Sequence, residues 1–552
     1  MNDIYAQNLP PEALGDPSAQ AADPTVQLPV CQKILTADLS GDFSLPDYQP
    51  EIKRLLRISV STLPPERYFA GDSMDLEGSL DYFALYMGND NQLYCAPLST
   101  EYHMTLPLSE ERDRDRDRGR TAYGLSPLDG DLTCSCDISV DPVSGRVTAP
   151  RRLNIKSRVK ADVKMYGTCA LSPDTSKELS PASIERLTAK AETARLYRAV
   201  GTPLDLQDDM ILSPSDGGDV RVICAEGQVM VGEALAGQGT VTCRGDVLLK
   251  LTLCPSEVGD GEEVLPTVTT RRIPFSQLIE VPGVTPECAC CAHGACSELS
   301  VELEEGHLHT ELSVIMEVLS QRNESSTYTK DLYSTRKETS CTYTEYPTRH
   351  AMGCFNGNFT LSDSLPLTEL NIHPATRVVD VTAVAYPEDL SADPEKRRCI
   401  LTGRCHVHAI LFREGEYATT EMDFPFRYEK DGCLPEGFDD KWLLTYDGNI
   451  KVMTCRARMD GERIGVDAEI GVALRVSVND TLTSLSSVTY GEDVTRNRGE
   501  YVICYPSSED TLWSVAKRYH APMTVLSAAN SISVPESADA EGCLAGVDYL
   551  IV

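Results

Sequence analysis

The feature that most constrains this chain is a strand signature that occurs three times, headed each time by a glycine. Gly78, Gly245 and Gly403 lie 167 and 158 residues apart. Counting on by two, four, six and eight positions gives Leu80, Tyr82, Ala84 and Tyr86 in the first copy. The second copy gives Val247, Leu249, Leu251 and Leu253, and the third gives Cys405, Val407, Ala409 and Leu411. Successive side chains of a strand point to opposite faces, so strict period-two apolarity specifies a strand with one face buried.

Two further markers follow in the same order. The first is an apolar–Pro–apolar triplet: Leu106-Pro107-Leu108, Ile273-Pro274-Phe275 and Phe424-Pro425-Phe426. Proline cannot donate to a ladder, which suits a strand end or sheet edge. The second is a long alternating strand that closes each copy. It runs through Leu153, Ile155, Val159, Ala161, Val163 and Met165, then Leu308, Leu312, Val314, Met316 and Val318. The third copy supplies Ile464, Val466, Ala468, Ile470, Val472, Leu474 and Val476.

Three markers in one order predict a mainly β protein with three repeated antiparallel β domains, at residues 25–170, 171–321 and 322–480. Residues 322–345, rich in Ser, Thr and Tyr, lead into the third. Residues 181–199 have helix-forming composition and are expected to bridge the first two units. Residues 1–24, rich in Ala, Pro and Gln, read as a disordered segment, and 481–500 as a linker. Residues 110–120 (EERDRDRDRGR) alternate in charge and read as a solvated loop.

Residues 501–552 carry a different pattern, which predicts a strand, two short helices and a closing strand: a small α/β (βααβ) domain. Asp510 or Thr511 can cap the first helix by accepting an N–H of its open first turn. Leu512, Val515, Ala516 and Tyr519 then fall on one face, with Lys517 and Arg518 at the C-terminal end, where the dipole favours cations. Thr524 is expected to cap the second helix, and Val525, Leu526, Ala528 and Ala529 to supply its buried positions. Tyr501-Val502-Ile503 and Tyr549-Leu550-Ile551 are expected to pair.

This stretch resembles the LysM module. Together with the three β units, and with the run Leu45-Pro46-Asp47-Tyr48-Gln49-Pro50-Glu51-Ile52, the chain resembles the SPOCS-domain proteins of endospore-forming Firmicutes, in their SipL-like coat-morphogenesis group. The resemblance implies a binding groove between two loops. On one side stand Ser508, Glu509, Asp510, Thr511 and Leu512, with Trp513 beside them. On the other stand Asn530, Ser531 and Ile532. Trp513 is read either as an exposed interface anchor or as packed across the sheet. The family's usual Gly-Asp-Thr is Glu509-Asp510-Thr511 here, the second loop is lengthened by Pro535 to Cys543, and the closing Ile-Pro is replaced by Ile551-Val552. Losing the glycine removes a close backbone approach, which favours a protein ligand over a sugar.

Composition narrows the partners. With 84 acidic and 50 basic residues the net charge is −34, which disfavours nucleic acid and anionic membrane surfaces. No apolar run nears the ~20 residues needed to cross a bilayer, and the N-terminus lacks the basic and apolar regions of a secretory signal. The expected location is the cytosol, so the 20 cysteines are expected as reduced, packed thiols.

Chemical motifs are weak. Cys288, Cys290, Cys291 and Cys296 cluster with His293 but lack a second CxxC knuckle, so structural cysteines are favoured over zinc. His406 with His408, and His307 with His309, share strand faces opposite the buried alternation and are expected to face solvent. Residues 232–240 imitate a phosphate loop, but Gln238 takes the lysine position. No catalytic residue, metal or cofactor is therefore expected. The resemblance implies a non-enzymatic scaffold in the mother-cell cytosol that binds the basement-layer coat ATPase. A peptidoglycan-binding LysM protein is the alternative.

Overall fold

The computed structural model describes residues 25–70, 73–107, 132–171, 183–211, 220–256, 265–304, 306–434, 438, 443–494, 502–507, 509–532, 544 and 547–552. Residues 1–24 and 110–120 lie outside the described residues. Among those described, the protein is mainly β, with every strand pairing antiparallel.

Two central strands organise the first unit. β4 (Ser73–Gly88) carries Leu80, Tyr82, Ala84 and Tyr86, and β8 (Arg152–Ala170) carries Leu153, Ile155, Val159, Ala161, Val163 and Met165. All ten are at most 1% exposed and share one core. β4 is paired by β2 (Ile52–Thr62), β3 (Glu66–Ala70) and β5 (Leu93–Pro107). β8 is paired by β1 (Thr25–Ser44), β6 (Leu132–Val140) and β7 (Ser144–Ala149). The unit is thus two sheets closed face to face on one apolar layer.

The other units repeat this plan. In the second, β12 (Thr240–Pro255) is flanked by β11 (Val220–Ala236) and β13 (Thr267–Glu280). Its facing strand is β15 (His307–Ser334), paired by β9 (Ile184–Val200), β10 (Leu204–Ile211) and β14 (Ala289–Glu304). In the third, β18 (Arg398–Arg413) is flanked by β17 (Arg377–Asp393) and β19 (Glu416–Lys430). It faces β21 (Arg463–Asp493), paired by β16 (Lys337–Pro366) and β20 (Leu443–Asp460). Each unit has its own core.

The signature glycines have a cross-strand reason. Tyr102 lies opposite Gly78, Phe275 opposite Gly245 and Phe426 opposite Gly403. The ring covers the space of a β-carbon, which would stand 2.5 Å from the Tyr102 hydroxyl and 2.5 Å from Phe426 Cζ. At Gly245 and Gly403 a bulge in the flanking strand also brings a carbonyl in, Met230 O to 1.9 Å and Tyr386 O to 2.3 Å of that point. This register corrects one marker. Pro274 and Pro425 pair with Asp246 and Arg404, one residue after the glycine, whereas Pro107 pairs with Ser73, ahead of it. The triplet is therefore equivalent in two copies, and the glycine–aromatic pair is equivalent in all three.

Two more expectations change. Residues 184–200 form β9, not a helix: its alternating Ala189 and Ala191 are buried against other units, and the whole strand pairs along residues 317–334 of β15. A neighbouring strand with open hydrogen-bond groups overrides helix-forming composition. β15 also runs unbroken across 321–322, and β21 runs to Asp493, so residues 481–493 are strand rather than linker. The far ends of β1, β8, β9, β15, β16 and β21 meet in a shared apolar cluster that includes Val26, Leu28, Ala189, Tyr328, Tyr346 and Leu482. These strand ends form a stalk built from all three units.

The units border a partly open cavity of about 1880 Å³ lined from all three. Arg57 on β2 pairs with Glu226 on β11 and with Asp380 on β17, and Lys250 on β12 reaches Asp380 at 2.6 Å. Asp447 on β20 takes Lys164 on β8 and, at 2.9 Å, Arg475 on β21. Glu317 on β15 takes Arg67 on β3 at 2.9 Å and Arg198 on β9. Burial raises the pKa of Glu317, Asp380 and Asp447, but the facing cations outweigh it and hold all three below the usual carboxylate range. Asp137 on β6 is different. It accepts the Gly448 N–H at 3.3 Å, and burial, then the Asp447 charge, push its pKa up to about 7.

Gly245→Ala is expected to lower the denaturation midpoint more than Gly78→Ala, by a margin of about 1–2 kcal/mol. The first variant meets a backbone carbonyl and the second only a side chain, the Tyr102 ring; equal losses would refute that cause. Asp137 keeps its proton to higher pH folded than unfolded, so its contribution is present below about pH 4 and lost as pH rises to about 7. Asp137→Asn is therefore expected to gain on the order of 2 kcal/mol over the native chain at pH 8 and little at pH 4. Urea midpoints at both pH values test it; a gain independent of pH would count against it.

Candidate functional site

The C-terminal strand pair is short. β22 (Ile503–Cys504) and β23 (Leu550–Ile551) match Ile503 with Ile551 and Cys504 with Leu550, and Val502 and Val552 exchange backbone bonds beyond them. α1 (Leu512–Arg518) begins with a capping box: the Thr511 hydroxyl accepts the Ser514 N–H at 3.0 Å, and the Ser514 hydroxyl accepts the Thr511 N–H at 2.9 Å. α2 (Met523–Asn530) departs from expectation. Pro522 holds its N-cap, and Thr524 is exposed inside the first turn. Leu526 is buried, but Val525, Ala528 and Ala529 are exposed. The inward stripe is Met523, Leu526 and Asn530, at i, i+3 and i+7, because Asn530 is tied to the closing strand.

Most of the expected groove residues are committed to holding the module together. Ser508 lies outside the described residues. Leu512 is fully buried in the small core, and Thr511 is used as the cap. Asp510 accepts the Ser507 N–H at 2.9 Å and Arg518 at 2.5 Å, and these bonds hold its carboxyl down to about 2. Asn530 donates to Leu526 O and Ile551 O at 2.9 and 2.8 Å and accepts the Ile551 N–H at 2.7 Å. Ser531 takes the left-handed conformation that ends α2, and Ile532 packs partly into the core. The side chains of Glu509 and Ser531 remain exposed.

Trp513 resolves to the buried reading, but its partner lies outside the module. Its ring meets Tyr333 of β15 edge-on, with centroids 4.9 Å apart, and its Nε1 donates to Asp331 at 2.8 Å. Asp331 also takes Lys517 at 2.6 Å and the Tyr343 hydroxyl at 2.7 Å. Burial raises its pKa, and the Lys517, Trp513 and Tyr343 bonds together bring it below normal. Tyr333 donates to Ala521 O at 2.7 Å, and His520 meets Ser334 O at 2.8 Å. The module is therefore seated on the tip of the stalk through α1 and the turn after it, with Asp331 as the carboxylate that takes the most bonds.

Among the described residues, that seat leaves the outer side of the strand pair exposed. With Cys504 and Leu550 turned inward, Ile503, Tyr505, Tyr549 and Ile551 face outward around a shallow depression. Tyr505 is 76% exposed and Tyr549 55%. Sequence reasoning placed the site in the loops and missed this face. The available signal was strand parity: once Leu550 is core, Tyr549 and Ile551 must point away from it.

Other candidate residues scatter. Cys290 packs in the second core, while Cys291 points the other way to Ala473 O at 3.4 Å, so strand alternation separates the cluster's sulfurs. His309 and His406 each meet a surface aspartate, Asp209 and Asp423. His408, expected at the surface, lines the inner cavity instead, and burial lowers its pKa. Its strand face, read as solvent-facing, is covered by neighbouring units. Residues 232–240 form the end of β11 and a turn into β12.

Comparison with family models, curated proteins and solved structures finds no match in any of the three. Among the described residues no group of three or more His, Cys, Asp or Glu is placed to hold a metal ion, and no helix is long and apolar enough to cross a membrane.

Asp331→Asn is expected to loosen the seat, since a neutral amide cannot accept from Lys517, Trp513 and Tyr343 together. Amide hydrogen exchange across residues 512–526 should rise, while β12 and β18 stay protected. A change spread evenly over the chain, or none, would show that the module does not depend on this anchor.

Proposed function

We propose that the chain is a non-enzymatic scaffold of endospore coat assembly, of the SipL-like type, with three SPOCS-like units and a C-terminal LysM-like domain. It acts in the mother-cell cytosol and holds the coat basement layer at the forespore surface. The partner is the basement-layer coat ATPase, bound through the terminal module. The observation that carries this reading is the outward face of Ile503, Tyr505, Tyr549 and Ile551, carried on a module whose other side is fixed to the stalk. Exposed tyrosines on a rigid support are well suited to a protein interface, because they bring large amphipathic area with few rotamers to freeze.

The alternative, peptidoglycan binding, has weaker support. A sugar needs polar side chains free in the loops, and here Asp510, Thr511 and Asn530 already bond within the module. The full chain is expected to capture the coat ATPase from sporulating cells, and Tyr505→Ala with Tyr549→Ala to reduce that capture at least about tenfold, a loss of about 1.4 kcal/mol or more. Peptidoglycan sedimentation is run beside it. Strong glycan binding with no coat protein captured would overturn the proposal.

A further inference from the structure

Two cysteines from different units touch. Cys95 on β5 and Cys224 on β11 have their sulfurs 3.0 Å apart, although they stand 129 residues apart in sequence. A disulfide needs an S–S length of about 2.05 Å, so bond formation requires an approach of about 1 Å. Both strands are anchored. Cys95 O accepts from Gln49 at 3.2 Å, and β11 is held to β2 through Arg57 and Glu226. The two thiols are also unequally placed: Cys224 is buried and Cys95 half-buried. The Cys95 contact first, and burial second, push the Cys224 thiol up, so this partner is held protonated.

We propose that Cys95 and Cys224 form an oxidative cross-linking site that joins the first unit covalently to the second, with a low-molecular-weight disulfide as the oxidant. Cys95, the less buried residue of the two, attacks the small disulfide, forms a mixed disulfide and releases one thiol. Cys224 then attacks the Cys95 sulfur and expels the second small thiol, which takes up the proton that Cys224 loses. Two protein thiols become one disulfide, and one small disulfide becomes two thiols. Glu226, 3.6 Å from Cys224, lies where it can receive that proton in passing. The site stands apart from the terminal module and does not rest on the partner proposed for it.

The full-length protein, purified under reductant, is equilibrated with oxidised glutathione, blocked with alkylating reagent, and mapped by mass spectrometry without reduction. The expected product is a Cys95–Cys224 linked peptide pair, lighter by two hydrogens and lost on reduction. Thermal denaturation without reductant should show a higher midpoint for the oxidised chain, and Cys95→Ser should abolish that rise while matching the reduced parent. Should Cys95→Ser fail to fold, the peptide map of the unaltered chain still decides. Finding both cysteines alkylated separately, or either one linked to a third cysteine, would overturn the proposal.

Discussion

Everything in this structure depends on strand parity along six central strands. On β8 the odd positions from Leu153 to Met165 fill the core of the first unit, and the even positions include Lys164 and Tyr166 at its contacts with the third. On β21 the assignment is reversed: Ile464 to Val476 are core, and Arg475 points to the neighbour. On β15, Val314 to Val318 are core and Glu317 meets Arg67 of the first unit. One alternation therefore sets both the interior of a unit and the surface it offers to the others. A slip of one residue in any of these strands would exchange the two.

The second faces are polar where they cross the cavity and apolar where they touch directly. Leu85 and Met87, Cys254, and Ile410 with Phe412 meet in a cluster shared by all three units. Beside it, Arg57 faces Glu226 and Asp380 from the corresponding strands of the other two copies. Three identical units would place like charges at such a centre, which costs several kcal/mol at close range. A single chain with diverged copies can set one cation against two anions and so fix which copy lies beside which. Desolvation offsets much of the attraction in buried pairs of this kind, so they are weak evidence of net stability.

Much of the architecture was legible. The period-two runs marked the six central strands, and their residues lie in the cores as that pattern requires. The charged partners across unit boundaries were not legible, since Arg57 stands 169 residues from Glu226 and 323 from Asp380 and their meeting depends on how whole units pack. His408 was misplaced for the same reason: a face that is outer for one unit is inner for three. A clue existed in the unbroken apolar ends Ala84–Met87 and Ala409–Phe412, where burial on both faces is the only economical explanation; in the second copy Thr252 interrupts the run. At the terminal module, the cap at Thr511 followed from local chemistry. The seat of Trp513 did not, because its partners Asp331 and Tyr333 come from a strand some 180 residues earlier.

β15 gives this assembly a mechanical character. The same 28-residue strand that begins in the core of the second unit ends at Asp331, Tyr333 and Ser334 beneath the terminal module. At about 3.3 Å per residue it spans on the order of 90 Å. A force applied to the module through its Asp331 anchor enters the strand along its axis. Its hydrogen bonds to β14, β10 and β9 lie across that axis, so they resist in shear, many at once, instead of opening one after another. Tension on the tip would therefore be shared along the strand's ladders and not carried by a single link.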